Sequence, residues 1–270
     1  MSTSAKLKVL VVDDSVTMQG IFSEIAEASP IPFEVIRAHS GQECMEFLKR
    51  GGIHLAFIDV NMPDMTGMEA VGAARYEGIK TFVTLMSSNP SKRRMQLARN
   101  LKVYEFLAKP FKPEAVYTVL RTYCTVTTPT SALIVDDSAT VRRLIAKVVT
   151  SSVFNIDVTE AADGQKALDA CDTGDFNVIV LDCNMPGLNG LETLERLLER
   201  DPKVKVIMMS GQRNQERRQW ALDRGAIAFL YKPFYPEDID RELHALFNLK
   251  MPILASVEDM ADPVMPAPAA

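Results

Sequence analysis

Four kinds of polar residue recur in this chain in one order and at one spacing. Asp13-Asp14 close an apolar run, Asp59 closes another, Ser87 ends a third, and Lys109-Pro110-Phe111 follow a fourth. The set returns as Asp136-Asp137, Asp182, Ser210 and Lys232-Pro233-Phe234, each member 123 residues further on. Three carboxylates brought together repel one another unless a cation joins them. An all-oxygen set with few protein ligands suits Mg²⁺, which keeps several waters and accepts phosphate oxygens. Beside such an ion an aspartate can act as a nucleophile and form an aspartyl phosphate. A lysine would supply a point charge to the phosphate, and a serine hydroxyl a hydrogen bond. Each piece also has a plainer reading. Acids favour the first turn of a helix, a serine can end a strand, and Lys-Pro-Phe can be a simple turn. The common register of all four favours the chemical reading.

Such a set works only if regular elements bring it together. In the first copy, strands are expected at Lys8–Val12, Phe33–Ala38, Ile53–Ile58, Thr81–Met86 and Val103–Leu107. Helical patterns follow each: from Ser15 to about Ala28, Gly41–Lys49, past Gly67 to about Tyr76, Pro90–Leu101 and Pro113–Tyr123. The second copy repeats the scheme, with strands near Ala132–Val135, Asp157–Ala161, Asn177–Leu181, Lys205–Met209 and Ala226–Leu230. Continuous rather than alternating apolar runs, interleaved with helices, predict α/β domains with a parallel sheet covered on both faces. Solenoid units are about 20–50 residues long, so a repeat of this length is a duplicated domain. The polar positions fall at the carboxyl ends of strands one, three, four and five, where open α/β sheets bind ligands.

The expected boundaries are a domain over 6–123, a short polar linker over 124–131, a second domain over 132–248, and a disordered Pro- and Ala-rich tail over 249–270. Net charge is −5, divided as +2 for residues 1–123 and −7 for the rest, so the two halves offer different rims to partners. That balance argues against a nucleic-acid surface. Cys44, Cys124, Cys171 and Cys183 lack metal-ligand spacing and suit a reducing compartment. The apolar run at Leu7–Val12 is too short for a signal peptide, and no stretch approaches about 18 apolar residues. A cytoplasmic protein without membrane contact is expected.

The motifs VLVVDDS (Val9–Ser15), IDVNMP (Ile58–Pro63), LMSS (Leu85–Ser88) and LAKPF (Leu107–Phe111) resemble the receiver domain of two-component response regulators. ALIVDDS, LDCNMP, IMMSG and LYKPF do the same in the second copy, so the resemblance covers about residues 6–123 and 131–248. It implies two doubly wound, flavodoxin-like five-stranded sheets, each in strand order 2-1-3-4-5. Asp59 and Asp182 would be the phosphoacceptors. Asp14 and Asp137 would bind Mg²⁺ directly, Asp13 and Asp136 mostly through water, with the main-chain carbonyls of Asn61 and Asn184 completing the site. Ser87 and Ser210 would swing toward the phosphate and Lys109 and Lys232 would pair with it. The bonds before Pro110 and Pro233 would be cis. Phe106 and Phe229 would be switch aromatics that turn inward on activation.

The implied function is that of a response regulator with two receivers and no output domain. It would not be an enzyme, and would accept phosphoryl groups from a histidine kinase or phosphotransfer protein. Output would pass through contact with an unnamed protein, and interdomain or homodimer pairing would use the face of the fourth helix and fifth strand. The alternatives are a scaffold with only one phosphorylated receiver, or a phosphate sink. A phosphohydrolase of the haloacid dehalogenase type would need Asp-x-Asp after strand one, where this chain has Asp-Asp. The copies differ: Gly211 and Gly225-Ala226 stand where the first has Ser88 and Lys102-Val103, which makes the second the more conventional unit. The basic runs Lys92-Arg93-Arg94 and Arg213, Arg217, Arg218 read as solvated helix faces, or as docking surfaces.

Overall fold

Alternate residues of one strand feed two different cores, which is why the strand sequences are apolar throughout. In strand β1 (Leu7–Val12), Leu10 and Val12 join one buried cluster, while Val9 and Val11 join another on the opposite face. The chain is described here by a computed structural model over residues 6–256. It divides into two units, Cys124–Lys250 and the remainder on either side of it.

In the first unit β1 is followed by α1 (Val16–Ala28), β2 (Phe33–Ala38), α2 (Gly41–Arg50), β3 (Leu55–Asp59), α3 (Gly67–Tyr76), β4 (Phe82–Ser87), α4 (Lys92–Asn100), β5 (Glu105–Ala108) and α5 (Pro113–Thr127). The strands are all parallel, in the order β2-β1-β3-β4-β5. Phe22 and Ile25 of α1 and Val116, Val119 and Leu120 of α5 cover one face. Residues of α2, α3 and α4, among them Leu48, Val71 and Ala98, cover the other. The second unit repeats this with β6 (Thr130–Val135), α6 (Ala139–Thr150), β7 (Ile156–Ala161), α7 (Gly164–Thr173), β8 (Val178–Asp182), α8 (Gly190–Arg200), β9 (Val206–Ser210), α9 (Gln215–Asp223), β10 (Ala228–Tyr231) and α10 (Pro236–Leu246). Its sheet runs β7-β6-β8-β9-β10. The expected fold class and strand order are both present.

Helix starts are set by side chains at the cap. Ser15 accepts the Met18 N–H at the head of α1, and Thr66 with Glu69, and Asn189 with Glu192, form capping boxes on α3 and α8. Helix α4 begins at Lys92, two residues later than the pattern suggests, because Ser91 accepts the Arg94 N–H and so fixes the first turn.

Two boundary expectations need correcting. Little of the stretch read as linker is irregular: α5 runs to Thr127 and covers its first half, and β6 starts at Thr130. Val126 is buried, and the Asn155 N–H donates to its carbonyl at 2.7 Å. The tail also begins with structure, a 3-10 turn at Ile253–Ser256 whose Leu254 is buried in the first unit. The rest of the expected tail, 257–270, lies outside the described residues. The substitution at the corner before strand five leaves the backbone turn in place. Lys102 takes the left-handed conformation at φ 52°, where the second unit has Gly225 at φ 105°, at a cost of about 1 kcal/mol for a residue with a Cβ.

Candidate functional site

Strand register determines which side chains meet. Asp59 at the end of β3 pairs with Met86, one residue before Ser87, and Ser87 at the end of β4 pairs with Ala108, one residue before Lys109. Asp13 follows β1, the other neighbour of β3. Four adjacent strand ends therefore present the acid pair, the lone aspartate, the serine and the lysine side by side.

Lysine is the hub. Lys109 Nζ lies 2.6 Å from Asp13 Oδ2 and 2.9 Å from Asp59 Oδ1. In the second unit Lys232 Nζ bonds Asp136 Oδ2 and lies 2.7 Å from Asp182 Oδ1. Asp13, Asp59, Asp136 and Asp182 are buried, whereas Asp14 and Asp137 are exposed. Carboxylate oxygens of Asp13, Asp14 and Asp59 come within 4.8 Å of one another, and this is the only such acidic gathering among the described residues. Asp136 and Asp182 meet through Lys232, but Asp137 does not close to the same span. A cluster of hard oxygen donors carrying more negative charge than its lysine neutralises fits a magnesium ion. The residues that would hold one in the first unit are Asp13, Asp14 and Asp59, with Asn61 beside them in sequence.

Burial dominates the two strand-end carboxyls. Asp59 and Asp182 are both raised above the usual carboxylate range by desolvation, with Lys109 and Lys232 pulling them back and Asp13 and Asp136 pushing them further up. Burial opposes the charge on Lys232, yet its bonds to Asp136 and Asp182 leave it above its ordinary value. A carboxyl raised in the folded state loses stability as pH climbs through the interval between its unfolded and folded values. Asp182→Asn should therefore stabilise the protein at neutral pH in chelator, by about 1 kcal/mol. The gain should shrink as pH falls into that interval, which thermal melts across the acid range would check.

The other sequence-predicted residues are also in place. Ser87 and Ser210 are buried and accept the Asn89 and Gln212 N–H groups, each at 3.1 Å. The Asn184 N–H donates to Asp182 Oδ2 at 3.0 Å. Both Lys-Pro bonds are cis. Phe106 and Phe229 are turned inward, in the clusters packed on α4 and α9. Cys183, next to Asp182, is pushed up to about 12 by burial and by that carboxylate, so its thiol stays protonated.

Several contributors escaped the sequence reading. Gln19, buried in α1, donates to the carbonyls of Val11, Asp13 and Ala38. Its counterpart Arg142 donates to those of Asp136 and Asp137. Both brace the loop that carries the acid pair. Arg94 and Arg217, expected on solvated helix faces or docking surfaces, reach Asn61 Oδ1 at 3.4 Å and Asn184 Oδ1 at 2.5 Å. Gly67 and Gly190 seat their helices on the backbone of the lone aspartate: a Cβ there would meet the carbonyl oxygen of Asp59 at 2.2 Å or of Asp182 at 1.9 Å. Gly190→Ala should cost about 1–3 kcal/mol, because only backbone can yield. Denaturant unfolding measures it.

Two stretches of the chain, 9–121 and 132–244, match the model of the response regulator receiver domain. Chemotaxis protein CheY of Listeria monocytogenes is 39% identical over 114 residues, 42% of this chain and 92% of that protein. The nitrate/nitrite response regulator protein NarL of Escherichia coli K12 is 34% identical over 116 residues, 43% of this chain and 54% of NarL, so the match spans about half of that relative's length. A crystal structure of a putative two-component system response regulator/GGDEF domain protein superposes with a TM-score of 0.61 at 22% identity, over 90% of this chain and all of that one. That last likeness is one of fold alone. Both units match the family model with the expected residues at the strand ends, and the chain belongs to the response regulator receiver domain family, as a tandem-receiver response regulator.

Proposed function

We propose that each unit accepts a phosphoryl group on one aspartate, Asp59 in the first and Asp182 in the second. The donor is a histidine kinase or phosphotransfer protein, and the signal passes on by protein contact. The observation that carries this reading is the lysine bridge, in which one Nζ joins the lone aspartate to the acid pair in both units. A carboxylate oxygen of the acceptor attacks phosphorus while the bond to the donor breaks, giving an acyl phosphate. Bound magnesium would neutralise phosphoryl charge and align the attack. Lys109 or Lys232 then transfers its contact from the aspartate to a phosphate oxygen, and Ser87 or Ser210, at the end of the neighbouring strand, donates its hydroxyl to another. Gln19 and Arg142 hold the acid-pair loop still. The chain is thus a phosphoryl acceptor rather than a turnover enzyme, and it works in the cytoplasm with its kinase. No helix of the described residues is long and apolar enough to cross a membrane.

A second reading, modification of one unit only, draws on the carboxylate gathering found in the first unit. The discriminating experiment is incubation of the whole chain with acetyl phosphate and Mg²⁺. Two base-labile phosphoryl groups per chain, lost when EDTA is present, are expected; no incorporation would remove the proposal.

A further inference from the structure

The segment that follows the second unit in sequence makes its contacts on the first. Its 3-10 turn, Ile253–Ser256, packs against α4 and β5. Leu254 is 3% exposed and sits in the cluster that contains Ala98 of α4, Val103 and Phe106. The Ile253 N–H donates to the Glu105 carboxylate, at 3.1 Å to one oxygen and 3.4 Å to the other. The Phe106 N–H donates to the same carboxylate at 2.8 Å. Glu105 is itself buried, and a buried carboxylate depends on such donors. One glutamate therefore ties the segment's backbone to the backbone of the switch aromatic. The equivalent of Glu105 in the second unit is Ala228, which has no carboxylate to offer.

We propose that Met251–Ser256 is an intramolecular ligand of the α4–β5 face of the first unit, and that it senses the state of Asp59 through Phe106. This rests on the reading of Asp59 as acceptor. The contact includes a buried leucine and a shared carboxylate, and its partner lies on the same chain. Tethering of this kind lets a weak contact form while leaving it reversible. Leu85 pairs with Phe106, and Ser87 lies two residues further along the same strand. A hydroxyl drawn to a phosphate on Asp59 therefore acts on the strand that lies against the aromatic. Packing of Leu254 favours the inward Phe106. If modification of Asp59 favours the same position, each must strengthen the other by the same factor. Any protein that uses this face must first displace the segment.

The test uses the full chain with Asp182→Asn, so that only Asp59 responds, and beryllofluoride with Mg²⁺ as the phosphate mimic. Hydrogen exchange of residues 252–256 should show protection at the Ile253 amide, and at least about fivefold more of it with beryllofluoride. Leu254→Asp, or termination after Lys250, should weaken beryllofluoride binding by calorimetry about tenfold, with cooperative melting of both units retained. Free-peptide exchange rates over 252–256, or binding by Leu254→Asp within twofold of the parent, would overturn the proposal. A parent that binds the mimic while ignoring Leu254→Asp defeats this inference alone. A parent that neither binds it nor takes label defeats the acceptor reading as well.

Discussion

Asp59→Asn should remove one of the two phosphoryl groups proposed for the chain after incubation with acetyl phosphate, Asp182→Asn the other, and the double substitution both. The amide is close to the carboxylate in shape but is no nucleophile, so labelling at the changed site should fall by at least about 10³-fold, the range seen when an essential nucleophile is lost. The untouched site should keep its rate if the units act independently. Quantifying label by mass spectrometry of the intact chain reads all three outcomes. Loss of all label from either single substitution would mean that only one unit is an acceptor. The single substitutions also rank the units. Sequence favours the second, whose Gly211 stands where the first has Ser88, and a Cβ built at Gly211 meets no atom within 4 Å. A side chain at that position therefore enters open space without changing the packing. Faster labelling of Asp182→Asn than of Asp59→Asn would go against that ranking, and would accord with the gathering of Asp13, Asp14 and Asp59.

What could be read from the chain alone were the features in which chemistry restricts residue type. A buried carboxylate, its acidic neighbours and the compact cation that bridges them leave little freedom, so Asp13, Asp59, Ser87 and Lys109 repeat unchanged as Asp136, Asp182, Ser210 and Lys232. Double burial of the sheet likewise restricts β3 and β8 to apolar residues up to their closing aspartates. The brace of the acid-pair loop was not legible, because any long donor can satisfy main-chain carbonyls: glutamine does so at 19 and arginine at 142. Arg94 and Arg217 carried a signal, a shared 123-residue offset, that was lost inside a general charge run. The end of α5 was misread because threonine is a poor helix former, and burial of Val126 outweighs that preference. The start of the tail was misread because its composition was averaged over residues that include Ile253 and Leu254, whose docking depends on a distant glutamate.

Removing the hub lysine should have the largest combined effect on stability and reactivity. In Lys232→Ala, Asp136 and Asp182, 2% and 4% exposed, lose the cation they share. Breaking a buried pair from one side costs about 3–5 kcal/mol, and a deficit near the lower end is expected in chelator, where no other cation takes its place. Burial already raises Asp182, and loss of Lys232 leaves only the Asn184 N–H to oppose it. Acidification should then protonate that carboxyl first in the folded protein and narrow the deficit, and added Mg²⁺ should stabilise the variant more than the parent. Reactivity should not recover with stability. The phosphoryl oxygens gain charge during transfer, and a fixed cation aimed at such charge contributes roughly 10²–10³-fold, so labelling of Asp182 should fall by about that factor even at saturating Mg²⁺. Lys232→Arg should not restore it, since a planar fork cannot occupy the position of a compact ammonium between two carboxylates. Denaturant melts with and without Mg²⁺, paired with acetyl phosphate kinetics in Asp59→Asn, separate the two effects. A variant that is destabilised yet labels within threefold of the parent would leave the lysine only a structural role.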